Sequence, residues 1–191
     1  AGALCAAVLA FPVHAADLSN QVINIGSDTT YPPHEFIEDG VVKGFDVDVV
    51  AEICARIKCQ PNWITTAWDG IFGKLQAGEF DMVVSGVTIT EERDKIVDFS
   101  EPYIIVQQGV LMRVADQGKT IDDFKSGAMR LASQTGTTNA TLGEELVGRD
   151  NLALFDAFNN AVVALQNGDV DGVIIDSTSA AAYEQEFAGE L

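Results

Sequence analysis

The chain has 191 residues, 47% of them apolar, which is enough to build the core of one large or two small domains. Its 29 acidic residues against 11 lysines and arginines give a formal net charge of −18. A charge this negative argues against nucleic acid and anionic membranes as partners, although it identifies no ligand by itself.

The first fifteen residues differ in kind from the rest. An uncharged apolar run, Ala3–Val13, leads into a small-residue pattern that ends at Ala15. This arrangement is typical of a secretory signal peptide, whose apolar region has roughly 7–15 residues, and is too short for a transmembrane helix of about 20. We therefore expect residues 1–15 to be a signal-peptide remnant and the mature chain to be periplasmic or extracellular. Cys5 could indicate a lipid anchor, but Gly2 stands where a lipobox requires an aliphatic residue.

Two cysteines remain in the mature chain, Cys54 and Cys59. In an exported protein two close cysteines can form a disulfide, which here requires the preceding helix to stop near Lys58. The alternative is a pair of free buried thiols. We expect no metal site, because His34 is the only histidine after the signal segment.

The first half of the chain alternates between strand and helix patterns. A strand at Val22–Gly26 opens into a rigid, proline-containing loop, Ser27–Pro33, and a hairpin then turns at Asp39-Gly40. A helix from Gly44 to Lys58 places its apolar residues on one face. The remaining elements of this half are a strand at Asn62–Thr65, a helix from Trp68 to Gly78 and a buried strand at Met82–Val84.

The second half repeats the alternation. A strand at Gln108–Val114 could cross between domains. After it we predict, in order, a helix at Ile121–Lys125, a strand at Arg130–Ser133, a helix ending at Leu146, a strand at Leu152–Phe155, a helix at Asn159–Gln166, a strand at Val173–Ile175 and a helix at Ser179–Phe187. Such alternation predicts parallel sheets and an α/β class.

One sequence pattern occurs twice, at Leu75–Val84 and again at Leu165–Ile174. Each copy has the pattern of a helix end, a glycine, an acidic turn and a buried strand. The first strand leads into hydroxyls and then Arg93, after a helix start at Thr90, whereas the second ends on Asp176. Ligands bind at such strand ends in open α/β sheets. Opposite charges at the corresponding strand ends of the two copies indicate a cleft for a small zwitterion. The alternative is that the repeat consists of two ordinary αβ units in one sheet.

Four blocks carry a family resemblance: Asp28–Phe36, Gly44–Asp48, Ser85–Arg93 and Asp98–Tyr103. In this order and spacing they resemble the polar amino-acid solute-binding proteins of bacterial ABC importers. The likeness covers almost the whole mature chain.

The resemblance implies a type II periplasmic-binding-protein fold, in which an amino acid binds between two lobes built on open parallel sheets. We expect lobe 1 at residues 16–109 and lobe 2 at 110–191. Family members return from the second lobe through another hinge strand and add C-terminal helices. We therefore expect an incomplete second lobe and a first lobe without its C-terminal packing.

The resemblance also assigns the ligand's charged ends. Arg93 resembles the residue that clamps the α-carboxylate, helped by the Thr88 amide; Ser85 and Gly86 would offer carbonyls to the α-ammonium, which pairs with Asp176. A planar guanidinium fork suits a carboxylate. The alternatives are a surface ion pair of Arg93 with Asp98, and a helix N-cap role for Asp176.

The remaining site residues would contact the ligand's side chain or close over it. Tyr31 and Trp68 resemble the aromatic walls, although Trp68 could simply be a core residue. Asp28 resembles a position that contacts the side-chain end, and Gln134 resembles the selectivity residue of a second-lobe loop, Gln134–Thr138, that closes over the ligand. An acid at the one and a neutral amide at the other favour a polar or basic ligand. Thr138, at a helix N-terminus suited to an anion, would close on the carboxylate.

These assignments predict a monomeric binding protein without cofactor that delivers an amino acid to ABC permease subunits. A dehydratase-like enzyme on the same scaffold is an alternative in which Asp176 or Glu35 would act as acid or base. The sequence offers no nucleophile–base pair to support it. The sensor domain of a receptor is a third possibility.

Overall fold

The computed structural model describes residues 16–191, so the expected signal segment at residues 1–15 lies outside the described residues. The strands are β1 (Val22–Ser27), β2 (Thr30–Tyr31), β3 (Glu35–Glu38), β4 (Val41–Lys43), β5 (Gln60–Thr65), β6 (Met82–Val83), β7 (Gln108–Leu111), β8 (Leu131–Gln134), β9 (Leu152–Phe155) and β10 (Gly172–Asp176). The α-helices are α1 (Phe45–Ile57), α2 (Ile71–Gln76), α3 (Glu91–Asp94), α4 (Ile121–Lys125), α5 (Thr138–Val147), α6 (Phe158–Asn167) and α7 (Ser177–Glu186).

The first lobe is built on a parallel sheet in the order β5-β1-β6. Its core packs Ile25 of β1 against Val50 and Cys54 of α1. Helix α1 ends at Lys58, whose backbone is left-handed, and Cys54 forms a disulfide with Cys59 just beyond. The bridge therefore ties the end of α1 to the start of β5.

A second, antiparallel sheet in the order β2-β3-β4 covers one end of this lobe. Its β3–β4 hairpin turns at Asp39-Gly40, as predicted, with positive φ at both residues. The chain then enters α1 through Gly44, where a Cβ would lie 2.2 Å from the His34 carbonyl oxygen. Only glycine can make that approach, so the loop before β3 is pinned against the start of α1.

The second lobe contains a four-stranded sheet in the order β7-β10-β8-β9. Strands β8, β9 and β10 are parallel, but β7 runs antiparallel to β10, with Gln108 opposite Asp176. The prediction of parallel sheets is therefore wrong for this strand. The other three strands each follow a helix that returns the chain, whereas β7 follows an extended segment that comes directly from the first lobe.

The predicted α/β class with two lobes is confirmed, although several element ends differ. Helix α2 is shorter than predicted, and α7 starts at Ser177 rather than Ser179. In the repeated unit, Gly168 is the left-handed C-cap of α6, whereas α2 ends two residues before Gly78. The second sheet begins at Gln108, two residues inside the region assigned to the first lobe.

An open apolar groove runs along the first lobe between α1, β6 and the extended segment at residues 97–106. Ile53 and Ile105 are exposed there, Ile105 to 92%. Within residues 16–191, no helix combines the length and apolar character needed to cross a membrane.

Candidate functional site

A cavity lies between the two lobes, and both contribute to its lining. All ten residues singled out as ligand contacts in the sequence line it. They are Asp28, Tyr31, Trp68, Ser85, Gly86, Thr88, Arg93, Gln134, Thr138 and Asp176.

The first-lobe wall is organised by the buried hydroxyl of Ser85. This hydroxyl accepts a hydrogen bond from the Asp28 amide at 3.0 Å and donates one to Glu35 Oε1 at 2.7 Å. Asp28 also accepts from the Thr30 hydroxyl at 2.8 Å. Because the Ser85 side chain is engaged within the lobe, its backbone carbonyl is the group available to a ligand.

Arg93 reaches the cavity from the single-turn helix α3. The Thr90 hydroxyl caps that turn by accepting from the Arg93 amide at 3.2 Å. The guanidinium carbon lies 5.2 Å from the Trp68 ring centroid and 5.3 Å from that of Phe72. Burial lowers the pKa of Arg93, but a guanidinium stays protonated in proteins.

The guanidinium of Arg93 donates to two backbone carbonyls, Thr88 O at 2.9 Å and Gly136 O at 3.3 Å. It makes no ion pair with any carboxylate in residues 16–191, so the alternative pairing with Asp98 does not occur. One fixed cation therefore faces the cavity without a protein counter-charge.

Trp68 combines the two roles that were open in the sequence. It packs with Ile71 and Phe80 in the first-lobe core, and it also lines the cavity. Its indole N–H donates to the Gly136 carbonyl of the second lobe at 3.0 Å. Trp68 and Arg93 thus both touch the second lobe at the same carbonyl.

Two carboxylates approach the cavity, one from each lobe. The Gln134 side-chain amide donates to Asp28 Oδ2 at 2.6 Å and to the Asp156 carbonyl at 2.8 Å. Asp176 occupies the N-cap position of α7, but its side chain makes no capping hydrogen bond. Instead Asp176 Oδ1 accepts from Asn139 Nδ2 at 3.1 Å. The Asp176 carboxylate is therefore directed at the site rather than used to start the helix.

Tyr31 crosses from the first lobe into the core of the second. Its ring stacks on Phe158, with centroids 5.1 Å apart, and packs among the buried residues of the second lobe. Burial, and secondarily the charge of Asp176, raises the pKa of the Tyr31 phenol well above its usual value. A neutral aromatic wall results, next to the acidic side of the cavity.

The helix α5 begins at the cavity, with Thr138 as its first residue. The Thr137 hydroxyl caps it by accepting from the Ala140 amide at 3.0 Å. The Thr138 hydroxyl accepts from Gln108 Nε2 at 3.0 Å. Free amides in the first turn of a helix favour an anion. This wall and Arg93 on the opposite wall therefore both favour a carboxylate.

Glu35 is fully buried on β3 and also lines the cavity. Burial, followed by the nearby Asp46 carboxylate, raises the pKa of Glu35 well above its ordinary value, although the bond from Ser85 opposes this. This shift favours the protonated, uncharged form of Glu35.

This raised pKa predicts a pH dependence of stability. In the unfolded chain Glu35 ionises at the ordinary pKa, so the folded state holds one more proton and loses stability as pH rises towards the folded-state pKa. Glu35→Gln keeps the shape and an acceptor for Ser85, and should make the protein more stable than wild type at pH 8 but not at pH 4. Urea unfolding at both pH values measures this; the exposed Glu79→Gln, in the turn before β6, is the control.

Four further residues line the cavity without having been assigned to the ligand site from the sequence: Glu35, Thr137, Asn139 and Phe158. Asn139 is the most polar of these besides Glu35. It is 3% exposed, and its Oδ1 has no hydrogen-bond partner among the described residues. A polar residue in the first turn of a helix that starts at the site is the sequence signal that could identify it.

Comparisons with known proteins agree with this geometry. The family model for bacterial extracellular solute-binding proteins, family 3, matches residues 23–187. The ABC transporter arginine-binding protein 1 of Escherichia coli is 32% identical over 156 residues, which cover 81% of this chain and 63% of that protein. The chain thus spans less than two thirds of this relative's length.

Solved structures are also similar to this chain in three dimensions. The arginine-, lysine-, histidine-binding protein ArtJ of Geobacillus stearothermophilus has a TM-score of 0.81 and 32% identity, over 87% of this chain and 71% of ArtJ. The ancestral amino-acid-binding protein AncCDT-1, a precursor of cyclohexadienyl dehydratase, has a TM-score of 0.80 and 34% identity, over 86% of this chain and 74% of the other. With a family model that matches most of its length, the chain belongs to the bacterial extracellular solute-binding proteins, family 3.

Proposed function

We propose that this protein binds a basic L-amino acid between its lobes as the exported, monomeric binding component of an ABC importer, and delivers it to the permease subunits. The observation that carries the proposal is the shared cavity of Arg93, from the first lobe, and Asp176, from the second. A cation and an anion on opposite walls suit the α-carboxylate and α-ammonium of one zwitterion.

The preference for a basic ligand rests on charge balance. Four ionisable side chains other than tyrosine line the cavity, namely Asp28, Glu35, Arg93 and Asp176. With Glu35 in the protonated form that its raised pKa favours, the formal charges of the remaining three sum to −1. Because a buried charge without a partner is costly, a ligand of net charge +1 is favoured over a neutral or acidic one.

Asp28 is the carboxylate left over once the zwitterion is paired. One of its carboxylate oxygens accepts a hydrogen bond from Gln134, and the other accepts one from Thr30. A carboxylate oxygen can accept more than one bond, so a cationic side chain could join them. The names of similar proteins support a basic ligand, since the Escherichia coli relative is an arginine-binding protein and ArtJ binds arginine, lysine and histidine.

The mechanism is a shift in population between open and closed lobes. A ligand that contacts Arg93 in one lobe and Asp176 in the other favours the closed arrangement by its differential affinity for that state. A permease that recognises the closed form would then receive only loaded protein.

An isothermal titration panel of the amino acids against the purified protein tests the proposal. At neutral pH we expect arginine and lysine to bind tightly and unchanged, glutamine and the mostly uncharged histidine more weakly, and glutamate not at all. Tightest binding of glutamate would overturn the charge argument, and absence of binding to every amino acid would overturn the function. Turnover of a prephenate-like acid would favour the enzymatic alternative.

Asp28→Asn tests the selectivity separately. The amide keeps an acceptor for Gln134 but removes the leftover charge, so affinity for arginine should fall while affinity for glutamine stays nearly constant. Loss of a charge-assisted bond costs about 1.5–3 kcal/mol, which corresponds to roughly 10- to 150-fold in Kd. The ratio of the two Kd values, measured by titration, should therefore move by that factor; an unchanged ratio would exclude Asp28 as the selectivity group.

A further inference from the structure

One hydrogen bond between the lobes lies outside the cavity lining. His34 Nε2 and the Thr178 hydroxyl are 2.7 Å apart, although the residues are 144 positions apart in the chain. His34 is only 2% exposed, and neither residue lines the cavity.

The other side-chain hydrogen bonds between the lobes, within residues 16–191, involve groups that line the cavity. Trp68 and Arg93 each donate to the Gly136 carbonyl, and Gln134 donates to Asp28. Each of these bonds uses at least one cavity-lining group that a ligand would contact or rearrange. The bond between His34 and Thr178 can persist whatever occupies the cavity.

His34 is held rigidly in the first lobe. Its ring stacks on Tyr31, with centroids 5.5 Å apart, and meets the Phe45 ring edge-on at 6.2 Å. Its carbonyl accepts from the Asp46 amide at 2.9 Å, where Gly44 permits the close approach. The imidazole therefore cannot follow the second lobe when the lobes separate.

Thr178 is held equally firmly in the second lobe. It lies in the first turn of α7, two residues after the cavity carboxylate Asp176. Its hydroxyl can both donate and accept, so it pairs with either tautomer of a neutral imidazole. Opening the lobes must break this bond because each partner is fixed to its own lobe.

The other ring nitrogen of His34 faces Asp46, at 3.7 Å from Oδ1. The second oxygen of Asp46 accepts from the Gly86 amide and the Tyr103 hydroxyl, each at 2.9 Å. Burial opposes ionisation of Asp46, but the His34 ring, the Gly86 amide and Tyr103 together lower its pKa below the usual value. An ionised Asp46 thus connects the His34 ring to the cavity loop at Gly86.

We propose that His34 and Thr178 form an inter-lobe latch that stabilises the closed arrangement without touching the ligand. The proposal rests on the proposed function, in which ligand binding accompanies closure. It makes His34 a positioning residue that sets affinity for all ligands alike, whereas Asp28 sets the preference among them.

Thr178→Val removes the hydroxyl and keeps the side-chain shape, so it tests the latch directly. We expect Kd for every amino acid that binds the wild type to rise about five- to tenfold, as for loss of one hydrogen bond. The rise in Kd should come from a faster dissociation rate, with the association rate unchanged, because the latch forms only after the lobes close. Thr178→Ser, which keeps a hydroxyl, should bind like the wild type.

A double-mutant cycle separates the latch from general damage to the fold. His34→Phe keeps the ring stacking but has no partner for the hydroxyl, so Thr178→Val should have no further effect in that background. Thr120→Val, at an exposed threonine whose hydroxyl bonds to Asp123 at the start of α4 and does not line the cavity, is the control and should leave binding unchanged.

The outcomes remain distinguishable from failure of the proposed function. If the wild type binds no amino acid in stopped-flow and titration measurements, the function fails. If the wild type binds but Thr178→Val and His34→Phe change Kd by less than twofold, or their effects simply add, the latch is wrong.

Discussion

Replacing Arg93 by alanine is expected to abolish measurable binding of every amino acid, whatever its side chain. The guanidinium is the cation without a protein counter-charge in the cavity, and a carboxylate held bidentately would lose two charge-assisted bonds. At about 1.5–3 kcal/mol each, their loss weakens Kd by roughly 150- to 25,000-fold. Isothermal titration with arginine, lysine and glutamine measures the effect.

A matched control is available on α1. Arg56 is exposed and pairs only with Glu52 of its own helix, so Arg56→Ala should bind like the wild type. Arg93→Lys keeps the charge but not the planar fork and should recover part of the affinity. If Arg93→Ala retained wild-type affinity, the carboxylate would have to be bound elsewhere.

Asp176→Asn is expected to have the second largest effect, and to act on the other end of the ligand. The substitution removes the negative charge proposed to pair with the α-ammonium, but leaves an oxygen that can still accept from Asn139. We expect Kd for all amino acids to rise about 100-fold, as for loss of a buried charge-assisted contact. Binding of a deaminated analogue such as the corresponding α-hydroxy acid should fall far less.

The control for this substitution lies in the same repeated unit. Asp169 is exposed in the turn before β10, so Asp169→Asn changes the net charge equally without reaching the cavity. If Asp176→Asn bound amino acids like the wild type but unfolded more readily, Asp176 would serve the start of α7 and not the ligand.

The class of fold could be predicted because its signals are local. Periodicity in α1, the glycine after α6 and the Asp39-Gly40 turn each depend on a few neighbouring residues. The direction of β7 could not be predicted this way. It depends on where the preceding extended segment enters the sheet, and four residues of strand pattern carry no information on direction.

The same distinction applies to the site. The carboxyl ends of parallel strands lie at one edge of a sheet, so the strand order alone predicts that Asp28 and Ser85 lie close together. The site residues of the second lobe were predicted from the family resemblance. The pairing of Gln134 with Asp28 depends instead on how the lobes meet, across 106 positions of chain. The unpaired oxygen of Asn139 is likewise visible only after packing has placed its neighbours.

The two aromatic rings beside Arg93 have a consequence for the cost of recognition. A free arginine side chain samples many rotamers, and freezing a flexible side chain on association costs about 0.5–1.5 kcal/mol. Trp68 and Phe72 already confine this guanidinium, and the Thr88 carbonyl anchors it. Most of the side-chain entropy of Arg93 is therefore lost during folding and not on binding, so an incoming carboxylate finds the guanidinium already in place.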